Sequence, residues 1–350
     1  MAITTGAISS GGFGFAQGTT WGTAVACGSG RGLRLRSENI TGGFASLPKD
    51  HISDAWGAPP DIGSESWSGT IASDAYYGGN VPEVWAYVFG TSGSPSGSTT
   101  YTHTTDLADS LGDFATFAIG KRASAKPWEF ASMMARRLVI RGSGNGRVTW
   151  EMDWVGGPLS RSSSTNTTTT LAALTIPTLE RAMLFTDGVF RINAQSGGSL
   201  GSSDVVSIAG FELVIERPLA VDFLTGASYV AQPSEDGPCS VTLAIDLRSY
   251  DADTYIDLWD GASTPTERKA DLVFSSGVTP TGGSELKMTF SFPRMTLMES
   301  PQAPVSGTGR VPHRLLFKCV EASSAPTGMT GITKPVRLVN IDEDSSAYLA

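Results

Sequence analysis

Apolar and polar residues alternate along much of the chain, which predicts a protein built mainly from β-strands. Residues 148–154 read VTWEMDW, with an apolar residue at every second position. A period of two places those side chains on one face of a strand. Residues 137–141, RLVIR, are also strand-like. Gly142, Gly144 and Gly146 separate the two runs in a G-x-G-x-G spacing. Dinucleotide binding needs G-x-G-x-x-G followed by a helix, so we predict a hairpin turn at these glycines.

Two segments have helical periodicity instead. Val81, Val84, Trp85 and Val88 lie at positions i, i+3, i+4 and i+7, which predicts a short amphipathic helix. Asn80 and Glu83 are spaced like a capping box, and Gly90 is placed to end the helix. Residues 252–259 repeat the pattern, with Gly261 at the end.

These helices belong to a faint internal repeat. Residues 66–85 and 240–259 align without gaps at an offset of 174, and the identical pairs are Ser66 and Ser240, Ile71 and Ile245, Tyr76 and Tyr250, and Trp85 and Trp259. We therefore predict two tandem β-sandwich or half-barrel domains, each with one short α-helix. The predicted core anchors are Ile71, Ile245, Trp85 and Trp259.

Composition suggests boundaries for these domains. The ends of the chain and a central Ser/Thr-rich segment lack the apolar periodicity of a core element. The predicted organisation is an N-terminal arm (1–30), a first domain (31–159), a linker (160–175), a second domain (176–324) and a C-terminal arm (325–350). We expect the arms to order only on a partner.

Charge and cysteine usage narrow the possible functions. The 350 residues carry a net charge of −9, with 17% charged residues and 41 glycines. An acidic chain is a poor binder of phosphate backbones. No stretch resembles a secretion signal or an apolar membrane span. Cys27, Cys239 and Cys319 are odd in number, which favours buried thiols in a reducing compartment and leaves one disulfide pair open.

No arrangement of reactive residues predicts catalysis or a cofactor. Ser199 lies in a G-x-S-x-G pattern, but Gly/Ser loop sequence flanks it where a nucleophile elbow needs a strand and a helix. His51, His103 and His313 have no second ligand at metal-binding spacing. The acidic cluster near the second helix does not match a Ca²⁺ loop, and we interpret it as a solvated face. Its members are Asp246, Asp251, Asp253, Asp257 and Asp260.

Several stretches together resemble the tail tube, or major tail, proteins of long-tailed bacteriophages. They are TTWGTAVA (19–26), PPDIGSESWSGTIASDAYYGGNVPEVWAYVFG (59–90), WEFASMMARRLVIRGSGNGRVTWEMDWVGG (128–157), VVSIAGFELVIERPL (205–219) and CSVTLAIDLRSYDADTYIDLW (239–259). The pattern of a strand with a small-residue turn, an outer helix and a Glu-Phe strand leading into a hairpin is similar to that family. Two copies in one chain resemble its double-domain members, whose trimeric rings mimic six-fold symmetry.

The resemblance implies a structural virion protein of the phage tail, assembled in the host cytoplasm, with no catalytic residue, cofactor or membrane partner. It implies stacked rings that enclose the tape-measure protein, contact tail tip or baseplate and terminator proteins, and later conduct double-stranded DNA without binding it. Acidic residues on the inner wall would keep DNA from sticking. The candidates are Glu129, Glu151, Asp153, Glu212, Glu216 and Glu285.

Two alternatives remain open from the sequence. A virion-surface β-sandwich, such as a decoration protein or a glycan-binding adhesin, would use exposed aromatic residues as stacking platforms. Trp21, Trp56 and Trp128 are the candidates for that role. A serine hydrolase would use Ser199, with a histidine and an acid brought to it by the fold.

Overall fold

The computed structural model describes residues 12–49, 56, 58–110, 112–121, 126–176, 181–247, 266–298 and 313–349. The chain is mainly β, which confirms the predicted class. The strands up to Ser160 are β1 (Phe13–Gln17), β2 (Ser37–Glu38), β3 (Thr41–Lys49), β4 (Ala58–Asp74), β5 (Ser96–Gly97), β6 (Tyr101–Asp106), β7 (Ala115–Ile119), β8 (Trp128–Ser143), β9 (Thr149–Gly156) and β10 (Leu159–Ser160).

The later strands are β11 (Gly188–Ala194), β12 (Val205–Val206), β13 (Ile208–Glu216), β14 (Leu219–Ala220), β15 (Ser234–Glu235), β16 (Ser240–Leu247), β17 (Arg268–Ser275), β18 (Lys287–Leu297), β19 (His313–Cys319) and β20 (Arg337–Asp342). The two α-helices of the described residues are α1 (Val81–Phe89) and α2 (Thr168–Ala173). The predicted helix at 252–259, with Trp259, lies outside the described residues.

Eight strands form a continuous antiparallel layer, here called the main layer. Its order is β3-β4-β9-β8-β13-β16-β19-β18, and β2 pairs with β4 in the same register as β3. A second layer contains the order β5-β6-β20-β18-β17-β11-β12 and the pairings of β7 with β1 and β8. The strands β8 and β18 take part in both layers. Residues 160–175 separate the two halves of the chain in sequence. The halves nevertheless share one continuous main layer, because β8 hydrogen-bonds to β13.

The strand registers relate the two halves of the main layer. Trp67 and Ile71 on β4 face Gly156 and Met152 on β9, whereas Val241 and Ile245 on β16 face Cys319 and Leu315 on β19. Ile71 and Ile245 therefore hold equivalent positions, at the same offset of 174 residues that relates their sequences. Both side chains are fully buried.

Helix α1 packs in the core between the layers. The predicted helix is confirmed, but every one of its nine residues is buried, so the exposed polar face expected of an outer, amphipathic helix is absent from it. Trp85 packs against Trp150 of β9 at 6.3 Å and Phe290 of β18 at 6.1 Å between ring centroids. The helix thus joins side chains from both halves of the chain, and aromatic contacts of this kind stabilise beyond the area that they bury.

The ends of α1 use different contacts from those predicted. Asn80 makes no capping hydrogen bond. Its side-chain amide donates to the carbonyls of Gly30 and Gly32, at 2.6 and 2.7 Å, and Glu83 pairs with Arg31. The predicted capping box is therefore wrong, because both side chains hold the segment that precedes β2. Gly90 ends the helix with φ +77°, a left-handed conformation that favours glycine.

The described parts of both arms are ordered within the single chain. Strand β1 pairs with β7, and Phe15 is fully buried. Strand β20 lies between β6 and β18, with a two-pronged ion pair from Arg337 to Asp106 at 2.6 Å. The expectation that these segments order only on a partner is wrong for the described residues, because their strands complete the second layer.

The glycines at 142–146 have two different roles. Gly144 lies in the turn between β8 and β9 with φ +59°, whereas Gly142 lies within β8. A Cβ atom on Gly142 would come within 2.5 Å of Phe211 and 3.0 Å of Phe185. Gly142 is thus needed for close packing against β13, not for the turn.

We expect Gly142→Ala to lower the free energy of unfolding by about 1–3 kcal/mol, the usual cost of overpacking. Urea denaturation monitored by tryptophan fluorescence would measure it. Gly198→Ala is the matched control, because a Cβ atom there meets nothing within 4 Å. Equal stability of the two variants would contradict the packing role of Gly142.

Candidate functional site: a charged sheet face

One face of the main layer is solvated and densely charged, while the other face forms the core. On β9, Glu151 and Asp153 point to the solvated side, and Trp150, Met152 and Trp154 between and beside them are buried. The alternation continues on the neighbouring strands. We call this surface the charged face, and its ionisable residues are Arg137, Arg141, Glu151, Asp153, Glu212, Glu216, Asp246, Arg314 and Lys318.

Ion pairs cross the charged face from strand to strand. Glu151 lies 3.6 Å from Arg141, which donates a 2.7 Å hydrogen bond to Glu212. Glu212 also lies 3.3 Å from Arg314, which is 3.6 Å from Asp246. This ion-pair ladder spans β9, β8, β13, β19 and β16, and so crosses the β8–β13 boundary between the two halves. Partly exposed pairs of this kind add little stability, but they neutralise each other's charge across the surface.

A second group of contacts completes the same face. Asp153 lies 3.8 Å from Arg137 and accepts a 2.7 Å hydrogen bond from Thr70 on β4. Glu216 is exposed at the end of β13. The face is therefore a mixture of acids and bases, whereas the sequence suggested acids alone.

Two of the six acids proposed for an inner wall have other surroundings. Glu129 is buried and accepts hydrogen bonds from Ser163 at 2.7 Å and from the backbone and side-chain amides of Asn166 at 3.0 and 2.8 Å. Its carboxylate holds the 163–166 loop and faces neither surface, contrary to the expectation. Glu285 precedes β18 and accepts from the Gly277 amide at 2.6 Å, which closes a loop.

The tryptophans proposed as stacking platforms are dispersed. Trp21 donates to the Val230 carbonyl at 2.9 Å and packs edge-on against Phe114. Trp128 makes cation–π contacts with Lys121 and Arg161, whose charged groups lie 4.5 and 4.2 Å from its ring centroid. Trp56 alone of the three is highly exposed. They do not form a common platform.

Asp246 lies on the charged face, whereas the other candidate reactive residues lie elsewhere or outside the described residues. Ser199 lies in a loop against Gly328 and is followed by a short 3-10 turn (Ser202–Asp204), not the α-helix of a nucleophile elbow. Of the acidic cluster, only Asp246 is described, and His51 is not. In the described residues, no group of three metal-ligating side chains converges. No helix among those residues is long and apolar enough to cross a bilayer.

The three cysteines are free thiols. Burial and the nearby charge of Glu129 raise the pKa of Cys27 to about 12.

His103 anchors the residues that follow β20. Its Nε2 lies 3.1 Å from an Asp342 carboxylate oxygen and 2.8 Å from the Asp344 carbonyl, and its ring stacks on Tyr348 at 4.0 Å. Burial lowers the pKa of His103, but the hydrogen bond to Asp342 and the charges of Asp342 and Asp344 outweigh burial and raise the pKa above its ordinary value.

This shift predicts a pH-dependent contribution to stability. A raised folded-state pKa stabilises the protein fully below the unfolded pKa of about 6.5, and the contribution is lost as pH rises through the folded value. We expect the stability advantage of the wild type over His103→Gln to be largest in acid and to shrink toward alkaline pH. Urea denaturation across about pH 5.5–9 would measure it. An advantage that grows with pH would contradict the assignment.

Sequence reasoning missed two buried cations that connect segments far apart in the chain. Arg217 is fully buried and donates to the carbonyls of Val88, Phe89 and Ala108 at 2.7–3.1 Å. Lys269 is also buried and donates to the carbonyls of Gly197 and Thr327, at 2.8 and 2.9 Å. Both are cations in strand-like sequences, and no local pattern distinguishes them from surface residues.

The described residues thus form an antiparallel sheet with one charged face and an exposed edge strand. A family model for phage tail tube proteins matches residues 9–319 of the chain. The chain therefore belongs to the phage tail tube protein family and is a structural component of the virion tail. No curated protein shows significant similarity to it.

Proposed function

We propose that this chain polymerises into stacked rings, with trimers that mimic six-fold symmetry, and that the rings form the tail tube. The tube encloses the tape-measure protein during assembly in the host cytoplasm and contacts tail tip or baseplate and terminator proteins at its ends. During infection it is the conduit for double-stranded DNA. The observation that carries this proposal is the charged face, which we assign to the lumen.

The ion-pair ladder suits a surface past which DNA must slide. A lumen rich in unpaired lysine and arginine would release counterions from DNA and hold it. Here Arg141 and Arg314 are both neutralised by Glu212. The ladder therefore offers no run of unpaired cations to the phosphates.

Exposed apolar residues on the β3–β4 hairpin support contact between neighbouring subunits. Strands β3 and β4 pair there, and Phe44, Leu47 and Ile62 are 60%, 53% and 76% exposed. Large apolar side chains grouped on an exposed strand pair mark an interaction surface or an aggregation risk. We assign this hairpin to contacts within the polymer.

Negative-stain electron microscopy of the purified chain at high concentration, together with its mass in solution, tests self-assembly. Tubes or stacked rings with a central hole are expected. A monomer at every concentration, in the presence of preassembled tail tips as nuclei, would contradict the proposal.

Charge reversal tests the assignment of the lumen. In phage carrying Glu151→Lys with Glu212→Lys, we expect tails of normal appearance but slowed DNA ejection, because the ladder becomes a cationic strip. Asp109→Lys with Glu321→Lys is the matched control, since these exposed acids pair with Lys334 away from the charged face. Unchanged ejection in the ladder variant, or equal slowing in both, would reject the assignment.

A further inference from the structure

A buried lysine in the second layer lies beside an asparagine and an aspartate, away from the charged face. Lys269 on β17 is directly opposite Asn193 on β11 in the pairing of these two strands. Opposite residues of an antiparallel pair have Cβ atoms about 4.5–5.5 Å apart and point to the same side of the sheet. Asp204, from the 3-10 turn before β12, accepts a 2.9 Å hydrogen bond from the Asn193 side-chain amide. The three side chains therefore form one cluster.

Gly197, in the turn after β11, brings the amine and the carboxamide together. The Lys269 Nζ donates to the Gly197 carbonyl at 2.8 Å. A Cβ atom on Gly197 would lie 3.0 Å from the Asn193 Oδ1 and 3.2 Å from its Cγ. The carboxamide thus packs against the same residue that the lysine bonds, and the missing side chain at position 197 leaves room for it.

The surroundings of Lys269 suit a neutral amine. The residue is fully buried, and its Nζ donates to two backbone carbonyls, those of Gly197 and Thr327. Among the described residues it makes no ion pair. A charged ammonium has three donors, whereas a neutral amine has two and keeps a lone pair. Burial lowers the pKa of Lys269 and outweighs the opposing charge of Asp204. A desolvated lysine of this kind is a nucleophile.

The carboxamide of Asn193 is held like an acyl group ready for attack. Its Oδ1 accepts from the Ala194 amide at 2.6 Å, and its Nδ2 donates to Asp204. An N–H at the carbonyl oxygen stabilises the negative charge that develops there when a nucleophile adds. A carboxylate at the nitrogen can deliver a proton to the leaving group. The Gly201 amide fixes the other oxygen of Asp204 at 2.7 Å.

We propose that Lys269 and Asn193 form an isopeptide bond within the chain, with Asp204 as general base and acid. The Lys269 Nζ attacks the Asn193 Cγ, and the Nζ–Cγ bond forms. Asp204 takes a proton from Nζ and passes it to Nδ2, the Cγ–Nδ2 bond breaks, and ammonia leaves. Nothing is oxidised or reduced, and no co-reactant is needed. Asn193 and Asp204 are only half-buried, so ammonia has a path to solvent.

The bond ties β11 to β17, next to β18 in the second layer. It forms within one copy of the chain and needs no neighbour, so the inference stands independently of the proposed tube. Its test therefore uses the purified full chain, whether or not that chain assembles.

Mass spectrometry of the denatured full chain, after storage of the folded protein in mildly alkaline buffer, tests the bond. The chain is expected to be lighter than its sequence by about 17 Da, the mass of one ammonia. Protease digestion is expected to release a branched peptide that joins Asn193 to Lys269. A chain of full sequence mass would overturn the proposal. The same loss without the branched peptide, as a cyclic imide at Asn145 would give, would also overturn it.

Three variants identify the groups that react. Lys269→Arg and Asp204→Asn are expected to have full mass and no branched peptide. Lys318→Arg is the matched control, an exposed lysine on the charged face, and is expected to keep both the mass loss and the branched peptide. Native circular dichroism checks that each variant folds, and the mass of the wild type decides the proposal even if one does not. A branched peptide that persists in Asp204→Asn would overturn the acid–base role of Asp204.

Discussion

Arg217→Ala is expected to lower the free energy of unfolding by about 3–5 kcal/mol, because it removes the buried partner of several polar groups. The guanidinium donates to the last two carbonyls of α1, to the Ala108 carbonyl and to Glu235 at 2.8 Å. Those carbonyls have no helical partner of their own, since they lie in the last turn. Without the arginine, the Phe89 carbonyl keeps a hydrogen bond from the Ala108 amide at 2.7 Å, but the Val88 and Ala108 carbonyls lose the bond that the guanidinium donates. Buried carbonyls without a donor are costly.

Chemical denaturation of wild type and variant would measure this loss, with native circular dichroism as a check that the variant folds. Arg217→Lys is expected to recover only part of the stability, because an ammonium cannot reproduce the planar fork that reaches several carbonyls. Arg136→Ala is the matched control, an exposed arginine on the adjoining strand. If Arg217→Ala is no less stable than Arg136→Ala, the cap on α1 contributes little.

Trp85→Ala is expected to cost about 3–5 kcal/mol, the usual loss when a large buried aromatic side chain is truncated. The indole packs between Trp150 and Phe290, which belong to different halves of the chain. A cavity there weakens the contact of α1 with both halves. Because both halves are affected, we expect the chain still to unfold in a single transition, at a lower denaturant concentration.

Two further substitutions sharpen this prediction. Trp85→Phe is expected to be much milder, because the buried indole N–H has no hydrogen-bond partner to lose. Trp56→Ala is the matched control on the surface and is expected to leave stability unchanged, since its side chain is 88% exposed. Two separate transitions in Trp85→Ala would instead indicate that the halves unfold independently.

The sequence patterns that predicted the structure correctly are those that depend on a single strand or turn. The alternation at 148–154 agrees with the buried and exposed faces of β9, because the two-residue period is a property of the strand alone. Gly90 ends α1 in a left-handed conformation for a similarly local reason. The repeat at an offset of 174 was visible in the sequence because buried positions such as Ile71 and Ile245 must match for the strands to pair alike.

The same local reasoning was misleading where a distant segment provides the partner. Val81, Val84, Trp85 and Val88 predicted one buried face, but two layers enclose α1 and bury its remaining side chains as well. Asn80 and Glu83 matched a capping box, yet Gly30, Gly32 and Arg31 compete for them from about 50 residues away in sequence. Capping patterns describe only neighbours along the chain.

The sequence alone determined that this chain is a mainly β protein with repeated strand patterns and one helix near residue 85. Only the tertiary structure decided which acids share a surface, because strand alternation defines two faces without saying which one is covered. It separated Glu129, buried beneath the 163–166 loop, from Glu151 and Glu212 in the ion-pair ladder. It also gave Arg217 its role, since the carbonyls it caps lie more than 100 residues away and become its partners only when the two halves pack together.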